Sequence, residues 1–312
     1  MSAASDGAGQ VVVFGSLNAD LTVRVDRFPG PGETLSGSEL VTAPGGKSSN
    51  QAVAAATLGS QVRLIGAVGD DANGSFLLEQ ASASGVDVTA VTRDPDHATG
   101  SAMIVVDAAG ENTIIVSPGA NGALSADSLT SEQFAGADIV CLCLEVPLPA
   151  VQAAAEHAQT AGAKVLLNLS PYADVHDSLL GHVDVLLVNK SEAELVLGRS
   201  DIADDWDAAL SGFVDLGIHR VVVTLGADGA VVLDGAASED GGQAAQVTHI
   251  DSPMVNAVDT TGCGDAFTGA LAHGMAKGMP LVEASKLAAQ AGSLAATLEG
   301  AQSSYQDLTH LC

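Results

Sequence analysis

Short apolar runs alternate with alanine-rich amphipathic stretches along most of the chain. Residues 11–14, 139–144, 164–169, 183–188 and 220–225 are almost continuously hydrophobic. That pattern predicts strands covered on both faces, since a half-exposed strand would alternate polar with apolar. Between them, residues 49–58, 150–161 and 205–216 place apolar side chains at helical spacing. Strand alternating with helix predicts an α/β fold with a mostly parallel sheet and helices on both sides. In such a fold functional groups gather beyond the carboxyl ends of the strands. Ser16 and Asn18, Glu145, Asn168, Asn189 and Thr224 stand at those ends and form the expected rim of a site.

Two segments break this rhythm. Residues 21–41 are rich in Gly and Pro, with short alternating pieces at Leu21, Val23 and Val25. Residues 100–117 read as a hairpin, with strands over 101–107 and 112–116 around a turn at 108–111. No helical stretch is at hand to cover these strands, so a small second sheet is expected, over about 19–43 and 100–117, acting as a lid or an oligomer contact. No linker or fixed-period repeat appears, and the expectation is one domain over residues 1–312.

Composition narrows the partners. The chain has 312 residues, 47% of them hydrophobic, which suits a large core and excludes a disordered chain. It has no apolar run of the roughly 18 residues that a membrane span needs. Residues 1–10 lack the basic start and apolar core of a signal peptide, so the expected location is the cytoplasm. With 38 acidic residues against 11 basic ones, the net charge is −27. Such a surface repels nucleic acid and anionic membranes, and neither is an expected partner. It also leaves five lysines, so each one present deserves inspection. Of the four cysteines, Cys141 and Cys143 fall on one apolar run with no histidine nearby and read as small buried hydrophobes. Cys263 lies in a glycine loop, as a small filler or as a reactive thiol.

That loop, Asp259-Thr260-Thr261-Gly262-Cys263-Gly264-Asp265-Ala266-Phe267, is the most informative stretch. Glycines bracket a small residue, an acid follows, and a helical segment begins. Free N–H groups and the helix dipole would converge there on an anion, with Asp265 placed to take a proton from an attacking hydroxyl. The same letters also describe a glycine turn with Asp265 as a cap. A second glycine pair, Gly45-Gly46, leads into a helix on which Lys47 and Asn50 share a face; the Walker A spacing is absent. Asn18 and Asp20, two apart, offer an amide and a carboxylate on one side of an extended segment, a set that suits sugar hydroxyls and also turns. Asn189 and Glu192 read either as holders of hydrated Mg²⁺ or as a capping box. The turn Thr224-Leu225-Gly226-Ala227-Asp228-Gly229 allows the close backbone approach that a nucleotide requires.

Taken together, GGKSSNQAVAAATLG (residues 45–59) and DTTGCGDAF (residues 259–267) resemble the two signatures of the ribokinase-like (PfkB) carbohydrate kinase family, in order and at a similar separation. The resemblance covers about residues 11–304. It implies a three-layer α/β/α sandwich with a mostly parallel central sheet and a small β lid. It also implies ATP-dependent phosphorylation of D-ribose at O5, giving D-ribose 5-phosphate. Carried over, Asn18, Asp20, Gly46, Lys47, Asn50 and Glu145 hold the pentose, and Asp265 is the base. Gly262, Cys263 and Gly264 form the anion hole. Asn189, Thr224, Leu225, Gly226, Ala227, Asp228, Gly229 and Gly264 bind ATP, while Glu192 arranges Mg²⁺ through water. Asp259, Thr261, Ala295, Leu298, Gly300 and Ser304 surround a potassium ion, and a homodimer forms through the lid strands. A kinase of 2-deoxyribose or of a nucleoside, or a catalytically silent sugar-binding relative, are the alternatives. Cys263 stands where alanine is more usual, and Ser48-Ser49 where Gly-Ala is; neither change removes a group that the chemistry needs.

Overall fold

Alternate residues of the first strand, β1 (Gln10–Phe14), serve two different cores. Val11 and Val13 pack into one with the alanine-rich faces of α1 (Lys47–Thr57), α7 (Cys263–Ala276) and α8 (Leu281–Ala295). Val12 and Phe14 pack into the other with α3 (Leu148–Thr160), α5 (Lys190–Leu197) and α6 (Trp206–Asp215). A strand covered on both faces must be apolar throughout, and each fully buried side chain of this kind contributes about 1.5–3 kcal/mol. The structure, a computed structural model, describes residues 9–235 and 245–311; the expectations for residues 1–8 and for Cys312 fall outside the described residues.

Among the described residues the main sheet has nine strands. Its order is β13 (Gln246–Ile250), β12 (Ala230–Asp234), β11 (Arg220–Thr224), β10 (Val185–Asn189), β9 (Lys164–Asn168), β8 (Ile139–Leu142), β1, β4 (Gln61–Gly69) and β5 (Val86–Asp94). Neighbours from β5 to β11 are parallel, and β12 and β13 join antiparallel at one edge. With helices on both faces, α2 (Ala72–Ala83) and α4 (Asp177–Leu180) among them, this is the three-layer sandwich. After β1 the chain first builds outward through β4 and β5, then returns to the other side of β1 with β8. The crevice beyond the ends of β1 and β8 is therefore the switch point where α/β sheets bind ligands.

A separate four-stranded sheet, ordered β3 (Val41–Gly45), β2 (Asn18–Arg24), β6 (Ser101–Val106) and β7 (Asn112–Ser117), is fed directly by β1 and returns directly into α1. The expected hairpin is β6–β7, closed where the Asp107 N–H donates to the Glu111 carbonyl. All of β7 is exposed.

The element ends differ in detail from the expectation. The run over 139–144 is a strand only to Leu142, because the Leu144 N–H turns to the Ser170 carbonyl. Val183 and Asp184 precede β10, their N–H groups held by Leu180 and Val165 carbonyls. Strands β4 and β5 carry a weak apolar signal in the sequence, since glycines interrupt β4 and exposed polar positions run along β5.

Candidate active site

Chain reversal at Gly46 brings the first two motifs together. This residue caps α1 with φ +88°, a conformation that side chains resist, and a Cβ there would sit 2.7 Å from the Asn18 nitrogen. The Lys47 N–H donates to Glu145 Oε2 at 3.0 Å, and Ser16 Oγ donates to the same oxygen at 2.6 Å. Residues beyond β1, β8 and β3 are thereby tied into one cluster. Asn18 is almost fully buried; its Oδ1 accepts from Asn121 Nδ2 at 2.8 Å, so its own amide N–H group is the part left to meet a ligand. Asn121 is locked in turn, accepting from the Leu17 N–H and donating to the Leu17 carbonyl.

Across the crevice, Gly262 starts α7 with φ +76°, its carbonyl accepting from the Tyr305 hydroxyl at 2.8 Å. A Cβ on Gly262 would come within 2.6 Å of that hydroxyl and of Ala301. Asp265, in the first turn, is buried and holds two amides: Asn50 Nδ2 donates to Oδ2 at 2.9 Å and Gln51 Nε2 to Oδ1 at 3.2 Å. First-turn N–H groups of a helix have no helical acceptor, and the space beside Gly264 is open. The Cys263 N–H, by contrast, reaches the Thr260 carbonyl at 3.3 Å, so it is the least free of the three expected anion-hole donors.

Electrostatically, the Lys47 ammonium faces the carboxylates of Asp265, Glu145 and Glu192, and Asp20 faces those of Glu145 and Asp265. Burial raises the Asp20 carboxyl to about 7, with Glu145 and Asp265 adding to the rise. Burial likewise raises Asp265, against the opposing pull of Lys47, Asn50 and Gln51. Lys47 is held above its ordinary value: burial lowers it, but Asp265, Glu145, Cys143 and Glu192 together outweigh that. The cluster thus keeps its cation, while Asp20 and Asp265 resist ionisation.

A cavity of about 260 Å³ joins these groups to the next set, lined by Lys47, Asn168, Asn189, Glu192, Thr224, Gly262, Gly264 and Asp265 among others. Asn189 and Glu192 form a full capping box, each side chain accepting from the other's N–H at 2.8 Å, while both still face the cavity. Next to it a second cavity, about 350 Å³, is lined by Asn189, Thr224, Leu225, Gly226 and Asp228; Ala227 and Gly229 complete that turn without lining it.

Asp259 clasps two loops, accepting from the Thr261 N–H at 2.9 Å and the Gly300 N–H at 2.8 Å. The Ala296 carbonyl accepts from Val258 and Asp259 N–H groups, and buried Ser304 lies one turn past Gly300, its hydroxyl bonded to the Ala301 carbonyl. Asp259 and Thr261 are thus drawn against the segment running from Ala295 through Leu298 and Gly300 to Ser304, with Cys263 Sγ 3.9 Å from the Asp259 carbonyl oxygen. From Gly300 the chain continues to Gln302, whose Nε2 donates to Ser49 Oγ at 3.1 Å and Asn50 Oδ1 at 3.0 Å.

Gln51, Asn121, Gln302 and Tyr305 were not among the expected site residues. A polar Gln51 beside an unbroken Ala-Val-Ala-Ala-Ala run was a usable signal; the other three act through contacts distant in sequence.

Cys263 is half-buried, and burial together with Asp259 and Asp265 pushes its thiol to about 11. Cys143 is pushed to about 11 and Cys141 higher still. Because the thiolate is the reactive form, a thiol alkylating agent at neutral pH is expected to inactivate the protein no faster than it does a Cys263→Ala variant. Residual activity over time measures this, and selective protection of the variant would show Cys263 to be reactive.

The pfkB family carbohydrate kinase pattern matches residues 8–308. A ribokinase of Haemophilus influenzae is 37% identical over 298 residues, covering 94% of each chain. A deoxyribokinase of Salmonella typhi is 34% identical, covering 96% of each. The structure of Arabidopsis thaliana ribokinase complexed with ribose and ATP superimposes with a TM-score of 0.87 at 30% identity, covering 97% of this chain and 98% of that one. The chain belongs to the pfkB family of carbohydrate kinases.

Proposed function

We propose that this protein phosphorylates D-ribose at O5, using ATP, to give D-ribose 5-phosphate. The observation that carries the reading is the placement of Asp265 in the lining of the first cavity, beside Lys47 and together with Asn189, Glu192 and Thr224. Asn18, Asp20, Gly46, Lys47, Asn50 and Glu145 hold the sugar, with the free amide N–H group of Asn18 donating to a hydroxyl. Asp265 takes the proton of the primary hydroxyl as it attacks the terminal phosphorus of ATP. The phosphoryl oxygens lie against the N–H groups that open α7, chiefly those of Gly262 and Gly264, and Lys47 balances their charge. The turn from Thr224 to Gly229, with Asn189, receives the nucleotide.

Glu192 and Asn189 offer carboxylate and amide oxygens to the cavity and would hold hydrated Mg²⁺, which neutralises phosphate charge when bound. Asp259, Thr261, Ala295, Leu298, Gly300 and Ser304 would hold K⁺ in the clasp behind the α7 start. The small sheet acts as a lid. Its outer strand exposes Ile114, Ile115 and Val116 by 51–59%, an unusual display that supports pairing with a second copy in a homodimer. Among the described residues no helix is long and apolar enough to cross a membrane, and the net charge supports a cytoplasmic enzyme without nucleic-acid partners.

A second acceptor, 2-deoxyribose, is favoured by the deoxyribokinase relative at 34% identity. ATP consumption with D-ribose, 2-deoxyribose, fructose and adenosine, each with and without K⁺, separates the readings. Ribose-dependent turnover that rises with K⁺ is the expected result. Turnover only with another acceptor would keep the mechanism and replace the substrate, and no turnover with any acceptor would leave a silent binding protein.

A further inference from the structure

Gln51 is a buried polar residue in the helix–helix contact where an apolar one would pack without cost. It is fully buried in α1, amid Ala52, Val53, Ala54 and Ala55. Its Nε2 donates to Asp265 Oδ1 at 3.2 Å, yet its Oε1 is buried with no partner among the described residues. A buried acceptor left unpaired lowers stability, so Gln51 is not explained by packing. What its amide does achieve is geometric. Asn50 Nδ2 pins Oδ2 of Asp265 while Gln51 Nε2 pins Oδ1, and two donors from adjacent residues of one rigid helix fix the plane of the carboxylate. Asn50 is itself steadied by Gln302, whose Nε2 donates to its Oδ1.

We propose that Gln51 is a positioning residue for the phosphoryl-transfer step, holding the Asp265 carboxylate in the orientation and charge state in which it accepts the substrate proton. This rests on the reading of Asp265 as the base. The groups that face this carboxylate are the ammonium of Lys47 from α1, the carboxylates of Glu145 and Asp20 from beyond β8 and from β2, the Tyr305 hydroxyl from the C-terminal segment and the Cys263 thiol on its own helix. Lys47 and the two amides favour the ionised form, while burial and the two acids oppose it. Loss of the Gln51 donor therefore moves the acid limb of the kcat/KM profile upward, because the base is ionised only at higher pH.

The test is Gln51→Met, which keeps length and removes both polar atoms. The expected result is a thermal midpoint at or above that of the parent, KM for ribose little changed, kcat lower by about tenfold to a hundredfold, the size that a displaced reacting group brings, and an acid limb shifted to higher pH. Gln51→Glu keeps the shape, adds a negative charge beside Asp265, and should shift the limb further; it carries the test if Gln51→Met does not fold. An unmoved acid limb in both variants, with kcat near the parent value, overturns the proposal and leaves Gln51 a structural residue. Asp265→Asn in parallel separates the two failures: if it collapses turnover while the Gln51 variants leave the limb in place, only the Gln51 assignment is lost, and if it retains turnover, the reading of the base falls first.

Discussion

Asp265→Asn is expected to cost about 10²- to 10⁴-fold in kcat, roughly 3–5 kcal/mol of the barrier, while ribose and ATP still bind. The substitution is isosteric and keeps an oxygen for one of the two amides that now hold the carboxylate, at 2.9 and 3.2 Å. Replacing a buried charge with a neutral amide also removes the repulsion that helps raise Asp20 to about 7, so the apo protein should not be destabilised. What is lost is the acceptor for the hydroxyl proton. An effect confined to kcat marks an interaction made in the transition state, and a matching rise in KM would mark ordinary substrate binding instead. Calorimetric titration of ribose, beside steady-state rates, distinguishes them. A kcat within a few-fold of the parent value would remove Asp265 from the role of base.

Parts of this arrangement were legible before any coordinates. Strands covered on both faces announce themselves by continuous hydrophobicity, and so β1, β8, β9, β10 and β11 were visible, with their polar terminal residues marking the crevice. The glycine loop before α7 was visible because Gly262 adopts a φ that few other residues tolerate, and the glycine pair before α1 for the same reason at Gly46. The clustering of Asn18, Lys47, Glu145 and Asp265 follows from topology, since strand order places the ends of β1 and β8 side by side. What stayed hidden were contacts that join distant segments. Asn121 lies 103 residues from Asn18, and Gln302 lies 252 from Asn50. No local pattern encodes either pairing. The charge state of the crevice was hidden too, because Asp20 rises to about 7 through burial and two neighbouring acids that meet only in the fold.

That charge state makes Lys47→Met the second large effect. Lys47 faces Asp265, Glu145 and Glu192, and it opposes the rise in Asp265 that burial imposes. Its own ammonium is held above the ordinary value, so it stays charged throughout any practical assay range. Two separate losses follow from its removal. First, Asp265 ionises only at higher pH, and the acid limb of kcat/KM moves upward. Second, charge developing on the transferring phosphoryl group loses a preorganised partner, which for one such group costs about 10²- to 10³-fold. The losses separate experimentally, because raising the pH restores the ionised base but cannot restore the missing cation. A Lys47→Met profile that climbs with pH yet levels off well below the parent rate is therefore the expected result. If the profile instead meets the parent curve at high pH, Lys47 acts only by tuning Asp265. If the limb does not move, the ammonium and the carboxylate are not coupled, and the assignment of Lys47 to the reacting end of the crevice is wrong.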